Sequence, residues 1–273
     1  MQTNFLIPLK KVEIEKLFDP EAINILKYYL KISLFSQPNS ITDNIVLPIQ
    51  IPKEHLEQFI VQSLGCIPMG AGSYPVDLID KVRGFGADIK MLSCLLDRDG
   101  HLSNTTSGET SLAQKFSDND LDGKFFRQEH SEIINDWKDI LSKKYQKVVT
   151  ENNIENIYYF FILRADDCFY LTGTKLELKN INNLTLQRRV YNSKSNSIFL
   201  DNVIDSKFGQ AKIYKAKKRL ELRLYAGAWE KDHAIKLKQD RVSETIKLRG
   251  LGDKNFKAFK EEGLKRLKNM LEL

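Results

Sequence analysis

Apolar side chains recur every three to four positions in four stretches of the chain. This spacing puts them on one face of a helix, so each stretch is predicted to form an amphipathic helix. The first stretch begins with Asp19 and Pro20, a residue pair that favours a helix start. The four predicted helices cover residues 19–35, 52–64, 128–147 and 253–271.

Strand patterns lie between these helices. The segment 157–163 is apolar throughout, which is typical of a central strand buried on both faces. In the segment 219–224, three leucines alternate with Arg219, Glu221 and Arg223, which predicts a half-buried strand with a charged outer face. Further strands are predicted at 74–79, 86–92, 169–171 and 211–218. This order of elements predicts an α/β fold with a mixed central β-sheet flanked by helices.

Two charged residues interrupt one of the apolar strands. Asp88 and Lys90 are two positions apart in the run from Gly86 to Leu92. Because side chains alternate between the two faces of a strand, both should project from one side, while Ile89 points to the other. A charge in such a strand is costly unless it is paired or binds a metal. The alternative interpretation is a surface strand whose charges are solvated.

A second carboxylate precedes this strand. Asp77 lies in the strand-like run 74–79, and the polar linker 80–85 can close a hairpin that brings Asp77 beside Asp88. Two carboxylates and one ammonium at one place are the components of a divalent-metal site for phosphodiester hydrolysis. Asp80 could take the place of Asp77, although its position in the turn favours Asp77.

The sequence Pro75-Val76-Asp77, followed by Asp88-Ile89-Lys90, resembles the motif of the PD-(D/E)xK nuclease superfamily and, within it, that of type II restriction endonucleases. The extra Val76 is a departure from that motif. The resemblance implies a restriction-endonuclease-like core, Mg²⁺ as the cofactor, Asp77 and Asp88 as its ligands, and Lys90 as a catalytic residue. Members often carry a further acid on the helix before the first strand, and Glu57 in the predicted helix 52–64 matches it.

A run of small polar residues at 103–111 follows the Asp88–Lys90 strand. If the segment from Leu112 to Phe116 is helical, this run lies at the N-terminal end of the helix, where backbone donors suit phosphate binding. Ser107 is the candidate DNA contact in this run. A capped loop without a ligand is the alternative.

Composition limits the class of protein. Hydrophobic residues make up 42% of the chain and charged residues 29%, as in globular proteins. No apolar run reaches the roughly 18 residues of a membrane span, and three scattered cysteines fit reduced side chains, so a cytoplasmic location without membrane association is expected. The chain contains no G-x-x-x-x-G-K-[ST] motif, which argues against an ATP-driven motor.

Positive charge is concentrated in the C-terminal part. The formal net charge is +6, but residues 206–273 contain 19 Lys and Arg against 9 Asp and Glu, so this segment alone carries +10. Such an excess favours a polyanionic partner, although lysine-rich surfaces are commonly just solvated. The candidate DNA-binding residues are Arg188, Arg189, Lys194, Lys212, Lys215, Arg219 and Arg223. Arginine can read guanine, and Arg188 or Arg189 is the candidate for that role.

These features predict a Mg²⁺-dependent endonuclease that hydrolyses double-stranded DNA at a specific sequence. One domain is predicted over residues 1–273, with the catalytic core at about 50–165 and the basic, DNA-contacting part at about 180–273. One motif per chain favours a homodimer in which each subunit cuts one strand. The resemblance also implies a companion DNA methyltransferase encoded separately. The alternatives are a DNA-binding module without catalysis and a DNA-repair or junction-resolving nuclease of the same superfamily.

Overall fold

The computed structural model describes residues 3–35, 51–70, 74–114, 120–165, 168–187 and 197–237, together with Glu261, Lys265 and Lys268. Within these residues the fold is mixed α/β, with a mixed central sheet flanked by helices. This architecture confirms the coarse fold class expected from the sequence. A second, smaller sheet was not predicted.

Eight strands form the central sheet. Six of them follow the order β1-β8-β7-β4-β3-β2, so β4 lies between β3 and β7. The strand β13 also pairs with β8, and the strand β5 pairs with β4. Only the β4–β7 pairing is parallel among these eight strands. The strands are β1 Leu6–Pro8, β2 Ile67–Pro68, β3 Leu78–Asp80, β4 Phe85–Leu96, β5 Leu102–Ser107, β7 Asn156–Ala165, β8 Cys168–Leu176 and β13 Ala234–Leu237.

The second sheet is antiparallel and has five strands in the order β6-β12-β11-β10-β9. Its strands are β6 Glu109–Gln114, β9 Thr185–Leu186, β10 Ser197–Asp201, β11 Gly209–Tyr214 and β12 Arg219–Leu224. The helix considered from Leu112 onward is therefore wrong, because residues 109–114 form a strand. The backbone of β6 pairs with β12, and this long-range pairing could not be read from the local pattern.

Helices cover both faces of the central sheet. The predictions for 19–35, 52–64 and 128–147 are confirmed by α2 (Pro20–Phe35), α3 (Lys53–Leu64) and α5 (His130–Asn152), and α5 extends beyond its predicted end. The predicted helix 253–271 lies outside the described residues except for Glu261, Lys265 and Lys268, which are helical. The helices are α1 Lys11–Leu17, α2 Pro20–Phe35, α3 Lys53–Leu64, α4 Leu121–Phe126, α5 His130–Asn152 and α6 Gly227–Glu230, with a 3₁₀ helix at Leu178–Asn183.

The apolar core is divided by the central sheet. On one face, Ile89 of β4 packs with apolar residues of α1, α2 and α3. On the other face, Leu92 of β4 belongs to a cluster that includes Trp137 and Leu141 of α5 and residues of the second sheet. The strand β4 is therefore buried on both sides, as its apolar sequence predicted. No helix among the described residues is long and apolar enough to cross a membrane.

Candidate functional site

A tight hairpin between β3 and β4 holds the two candidate metal ligands. The turn between the strands ends at Gly84, whose φ of +66° a residue with a side chain rarely adopts. Asp77 precedes β3, and its backbone amide donates to the carbonyl of Ala87 at 2.8 Å. Its carboxylate Oδ2 accepts a hydrogen bond from the amide of Ile89 at 2.6 Å. These two contacts flank Asp88, so the hairpin places Asp77 beside Asp88 as predicted.

Asp88 and Lys90 project from the same side of β4. The Lys90 ammonium donates to the Asp88 carboxylate, with 16% of the lysine side chain and 9% of the aspartate side chain exposed. Ile89 points to the opposite face and is fully buried. The alternating arrangement predicted for this strand is confirmed, and the interpretation that Asp88 and Lys90 are solvated surface charges is wrong.

The environment of Asp88 favours a bound cation. Burial, together with the nearby charge of Asp77, raises the pKa of Asp88 to about 7, although Lys90 and Lys144 oppose this change. A buried carboxylate with a second carboxylate beside it gains from a proton or a cation, because either removes the unfavourable negative charge. A single ammonium contact from Lys90 does not fully compensate Asp88.

Asp80, the alternative first ligand, is used by the turn. Its Oδ2 lies 2.5 Å from Nε of Arg83, and its Oδ1 accepts from the amide of Arg83 at 2.8 Å. Burial raises the pKa of Asp80, but the hydrogen bonds and charge of Arg83 outweigh burial and lower the pKa below its ordinary value. The structure therefore brings Asp77, and not Asp80, next to Asp88.

Helix α3 contributes an ion pair at the edge of the site. Nζ of Lys53 lies 2.5 Å from Oε1 of Glu57 and 3.9 Å from Oδ1 of Asp77. Burial lowers the pKa of Lys53, but the hydrogen bond with Glu57 and the negative charges of Asp77, Glu57 and Asp88 outweigh burial and raise it. Glu57 thus lies near the site as predicted, and Lys53 links it to Asp77. Sequence reasoning missed Lys53, although its i,i+4 spacing from Glu57 was a usable signal.

A lysine of α5 was also missed. Nζ of Lys144 donates to the carbonyl of Leu112 in β6 at 2.8 Å, and the hydroxyl of Tyr159 donates to the same carbonyl at 3.0 Å. Tyr159 is the register partner of Asp88 in the parallel β4–β7 pairing. Lys144 adjoins the buried helix stripe that contains Leu141 and Tyr145, so helical spacing could have indicated that it faces inward.

The donor set fits a hard divalent cation. Asp77 and Asp88 supply two adjacent carboxylates, while no group of three or more His, Cys, Asp or Glu side chains suited to a metal occurs in the described part of the chain. Mg²⁺ is usually held by one or two carboxylates and completes its coordination with waters and substrate phosphates. Two carboxylates, one of them buried beside the other, meet that requirement.

The candidate DNA-binding residues of the second sheet differ in their surroundings. Lys212 is paired with Glu109 at 2.7 Å and lies 3.8 Å from Glu221. Glu221 also pairs with Lys217 at 3.4 Å, so it lies among charged side chains, but it is only 4% exposed, and the prediction of an outward, solvent-facing position for Glu221 is wrong. The longer lysine side chains cover it. Arg223 is exposed.

Three of the remaining candidates lie in β5, in the turn before β12 and at the start of β12. Ser107 ends β5, where it is paired with Cys94 of β4, and so it belongs to a strand rather than to a loop before a helix. Nζ of Lys215 lies 5.9 Å from the ring centroid of Phe125, and Arg219 opens β12. The candidates Arg188, Arg189 and Lys194 lie outside the described residues.

Comparison with known proteins gives no relative for this chain. No family model matches the sequence, no curated protein matches it significantly, and no solved structure matches its fold significantly.

Proposed function

We propose that this protein is a Mg²⁺-dependent endonuclease with a restriction-endonuclease-like core, which hydrolyses phosphodiester bonds of double-stranded DNA at a specific sequence. The observation that carries the proposal is the hairpin in which Asp77 lies against the backbone of β4 on both sides of Asp88, while Lys90 contacts the Asp88 carboxylate. Together with the resemblance of these residues to the PD-(D/E)xK motif, this geometry supports nuclease chemistry.

Each residue of the hairpin has a chemical task in this proposal. Asp77 and Asp88 would hold Mg²⁺, which when bound would lower the pKa of a water and neutralise charge at phosphorus. Hydrolysis adds the oxygen of water to phosphorus, breaks one phosphorus–oxygen ester bond and transfers a proton to the departing oxygen. Lys90, fixed by its contact with Asp88, would orient the attacking water and stabilise the negative charge that develops on the phosphate.

In this proposal, the ion pair on helix α3 would stabilise the negative charge of Asp77. Nζ of Lys53 lies 3.9 Å from Asp77 and 2.5 Å from Glu57. A negative charge on Glu57 therefore stabilises the protonated form of Lys53, whose ammonium also lies near Asp77. Glu57 would therefore act through Lys53, as a residue that positions the site. Its matched place before the first strand supports this role.

The proposal extends to the assembly. One Asp77–Asp88–Lys90 site cuts one strand, and a two-fold axis would present a second site to the other strand of a palindromic sequence. The excess of positive charge in residues 206–273 supports an extended contact with DNA phosphates. A site-specific nuclease of this kind would require a companion methyltransferase to protect the DNA of its host.

Digestion of several plasmids of known sequence with Mg²⁺ tests the proposal. Purified wild-type protein should give discrete bands, and the bands should disappear with EDTA. Asp88→Asn and Lys90→Gln should abolish cutting while they retain DNA binding in Ca²⁺. Asp99→Asn is a matched control, because Asp99 is an exposed residue in the turn that follows the same strand.

The outcomes separate the candidate functions. Discrete bands indicate a site-specific enzyme, whereas cleavage only of branched DNA substrates indicates a junction-resolving nuclease. DNA binding without cleavage in Mg²⁺ or Mn²⁺ would instead identify a DNA-binding module.

A further inference from the structure

Lys144 is a partly buried cation that the proposed mechanism has not used. Its helix, α5, packs against the face of the central sheet from which Asp88 and Lys90 project. The Lys144 ammonium is held in place by the carbonyl of Leu112, at 2.8 Å. This carbonyl also accepts from Tyr159, whose hydroxyl is hydrogen-bonded to Tyr145. The position of Lys144 is therefore fixed by a strand of the second sheet.

The charge of Lys144 has no close counter-ion. Among the described residues, no carboxylate oxygen lies within 4.0 Å of its Nζ, and its other close contact is the ring of Tyr145 at 4.8 Å from the centroid. Burial, together with the charge of Lys90, lowers the pKa of Lys144 to about 8, although Asp88 and Asp77 oppose this change. Partial withdrawal of an ammonium from water is costly unless an anion compensates its charge.

The groups that face Lys144 come from several elements. Asp88 and Lys90 lie on β4, Asp77 precedes β3, Tyr159 lies on β7, and Tyr145 is its neighbour on α5. These are the residues of the proposed catalytic site and their direct neighbours. Lys144 is therefore close enough for the charges of Asp88, Lys90 and Asp77 to act on it, and it belongs to α5 and not to the hairpin.

We propose that Lys144 is a second cationic catalytic residue, whose ammonium binds a non-bridging oxygen of the phosphodiester that is cut. This inference rests on the proposed nuclease function. An ammonium has three hydrogen-bond donors, and the contact with Leu112 uses one of them, so donors remain for a phosphate oxygen.

The charges of the site support this role. The carboxylates of Asp77, Asp88 and Glu57 are balanced by the ammonium groups of Lys53, Lys90 and Lys144, so the protein side of the site is neutral. A divalent cation then adds two positive charges. The phosphodiester compensates one of them, and the negative charge that develops during attack compensates the other. Without Lys144 the assembled reaction would carry an uncompensated negative charge.

Three variants test the proposal. Lys144→Gln removes the charge but can still donate to Leu112, Lys144→Arg keeps the charge, and Lys143→Gln removes an equal charge from an exposed neighbour that lines a surface groove with Gln146. We expect Lys144→Gln to lower kcat/KM for plasmid cleavage by about 100-fold, as is typical when one transition-state donor is removed. Lys143→Gln should leave kcat/KM unchanged, and thermal unfolding should show that all three variants fold.

The pH profile separates a cationic role from a structural one or from a role as a base. A phosphate-binding ammonium loses its charge as pH rises, so kcat/KM of the wild type should fall on the alkaline side as Lys144 loses its proton. Because arginine stays charged, Lys144→Arg should retain activity at a higher pH than the wild type does. Wild-type activity that instead rises through pH 8, with loss of this rise in Lys144→Arg, would overturn the proposal in favour of a general base.

A second readout does not depend on cutting. In protein labelled with ¹³C-lysine, the Lys144 resonance, assigned with Lys144→Gln, should shift and titrate at higher pH when duplex DNA is added in Ca²⁺. No effect of DNA on this resonance, or full cleavage activity in Lys144→Gln, would contradict the role of Lys144 while the nuclease proposal stands. A clear DNA effect in a protein that never cuts would support the phosphate contact and refute the nuclease proposal.

Discussion

The carboxylate of Asp77 accepts a hydrogen bond from the backbone amide of Ile89, at 2.6 Å. Ile89 is the residue between Asp88 and Lys90, so this single bond connects both halves of the proposed motif. It also directs one oxygen of Asp77 to the backbone and leaves the other, Oδ1, near Lys53. The position of Asp77 relative to Asp88 is consequently set by the backbone of β4.

The pH dependence of stability should report on Asp88. Its pKa of about 7 in the folded protein, raised mainly by burial, exceeds the ordinary value of 3.8 that applies to the unfolded chain. Between pH about 4 and 7 the folded state therefore binds more protons, so the free energy of unfolding falls as pH rises through this window. Urea unfolding in EDTA should show this fall in the wild type and a smaller one in Asp88→Asn. Parallel profiles of the two proteins would contradict the assignment, and Asp99→Asn serves as the control.

Mg²⁺ should stabilise the protein most at pH values at which Asp88 is deprotonated, because the buried negative charge is destabilising without a cation. A cation that binds only the folded state raises the unfolding temperature, and it competes with protons for the same carboxylates. We expect a larger increase in Tm at pH about 8 than at pH about 5, and no increase in Asp88→Asn. An equal increase in the wild type and in Asp88→Asn would place the metal elsewhere.

The ion pair on α3 should affect activity more than stability. The side chain of Lys53 is 57% exposed, so removal of its contacts in Lys53→Met should change the free energy of unfolding by no more than about 1 kcal/mol. We expect slower cleavage in Lys53→Met and in Glu57→Gln, with a double variant no slower than the worse single variant, because Glu57 acts through Lys53. Single-turnover cleavage rates measure this, and additive losses would show that the two residues act independently.

Two cations of the second sheet should separate DNA binding from folding. Arg223 is exposed, so Arg223→Gln should weaken binding of all duplexes and reduce the slope of log affinity against log salt by about 0.9. Loss of its surface contacts should change the free energy of unfolding by no more than about 1 kcal/mol. Lys212 compensates the buried Glu221, so Lys212→Gln should lower the free energy of unfolding by about 2 kcal/mol. Salt-dependent binding in Ca²⁺ and urea unfolding distinguish the two effects. The reverse pattern would show that Lys212 is the phosphate contact.

The proposed dimer can be tested with DNA bound. Sedimentation of the protein on a cognate duplex in Ca²⁺ should give the mass of two chains on one DNA, since each chain supplies one hairpin site. A complex with a single chain that still cuts both strands would refute this assembly.

The sequence alone determined the local elements and the chemical components of the candidate site. The spacing of apolar residues was sufficient to predict α2, α3 and α5, because the buried face of an amphipathic helix carries an apolar residue every three to four positions. Strand alternation likewise placed Asp88 and Lys90 on one face of β4, and a short linker limited Asp77 to the neighbourhood of Asp88.

Only the tertiary structure decided what approaches that site from elsewhere in the chain. The contact of Lys144 with Leu112 joins residues 32 positions apart, and Lys53 lies 24 positions before Asp77. The strand β6 forms because β12, more than a hundred residues later, pairs with it. Glu221 is buried because the side chains of Lys212 and Lys217 cover it. Side-chain periodicity describes one element at a time, whereas burial and ion pairing depend on which elements meet, so these features follow from packing and not from local pattern.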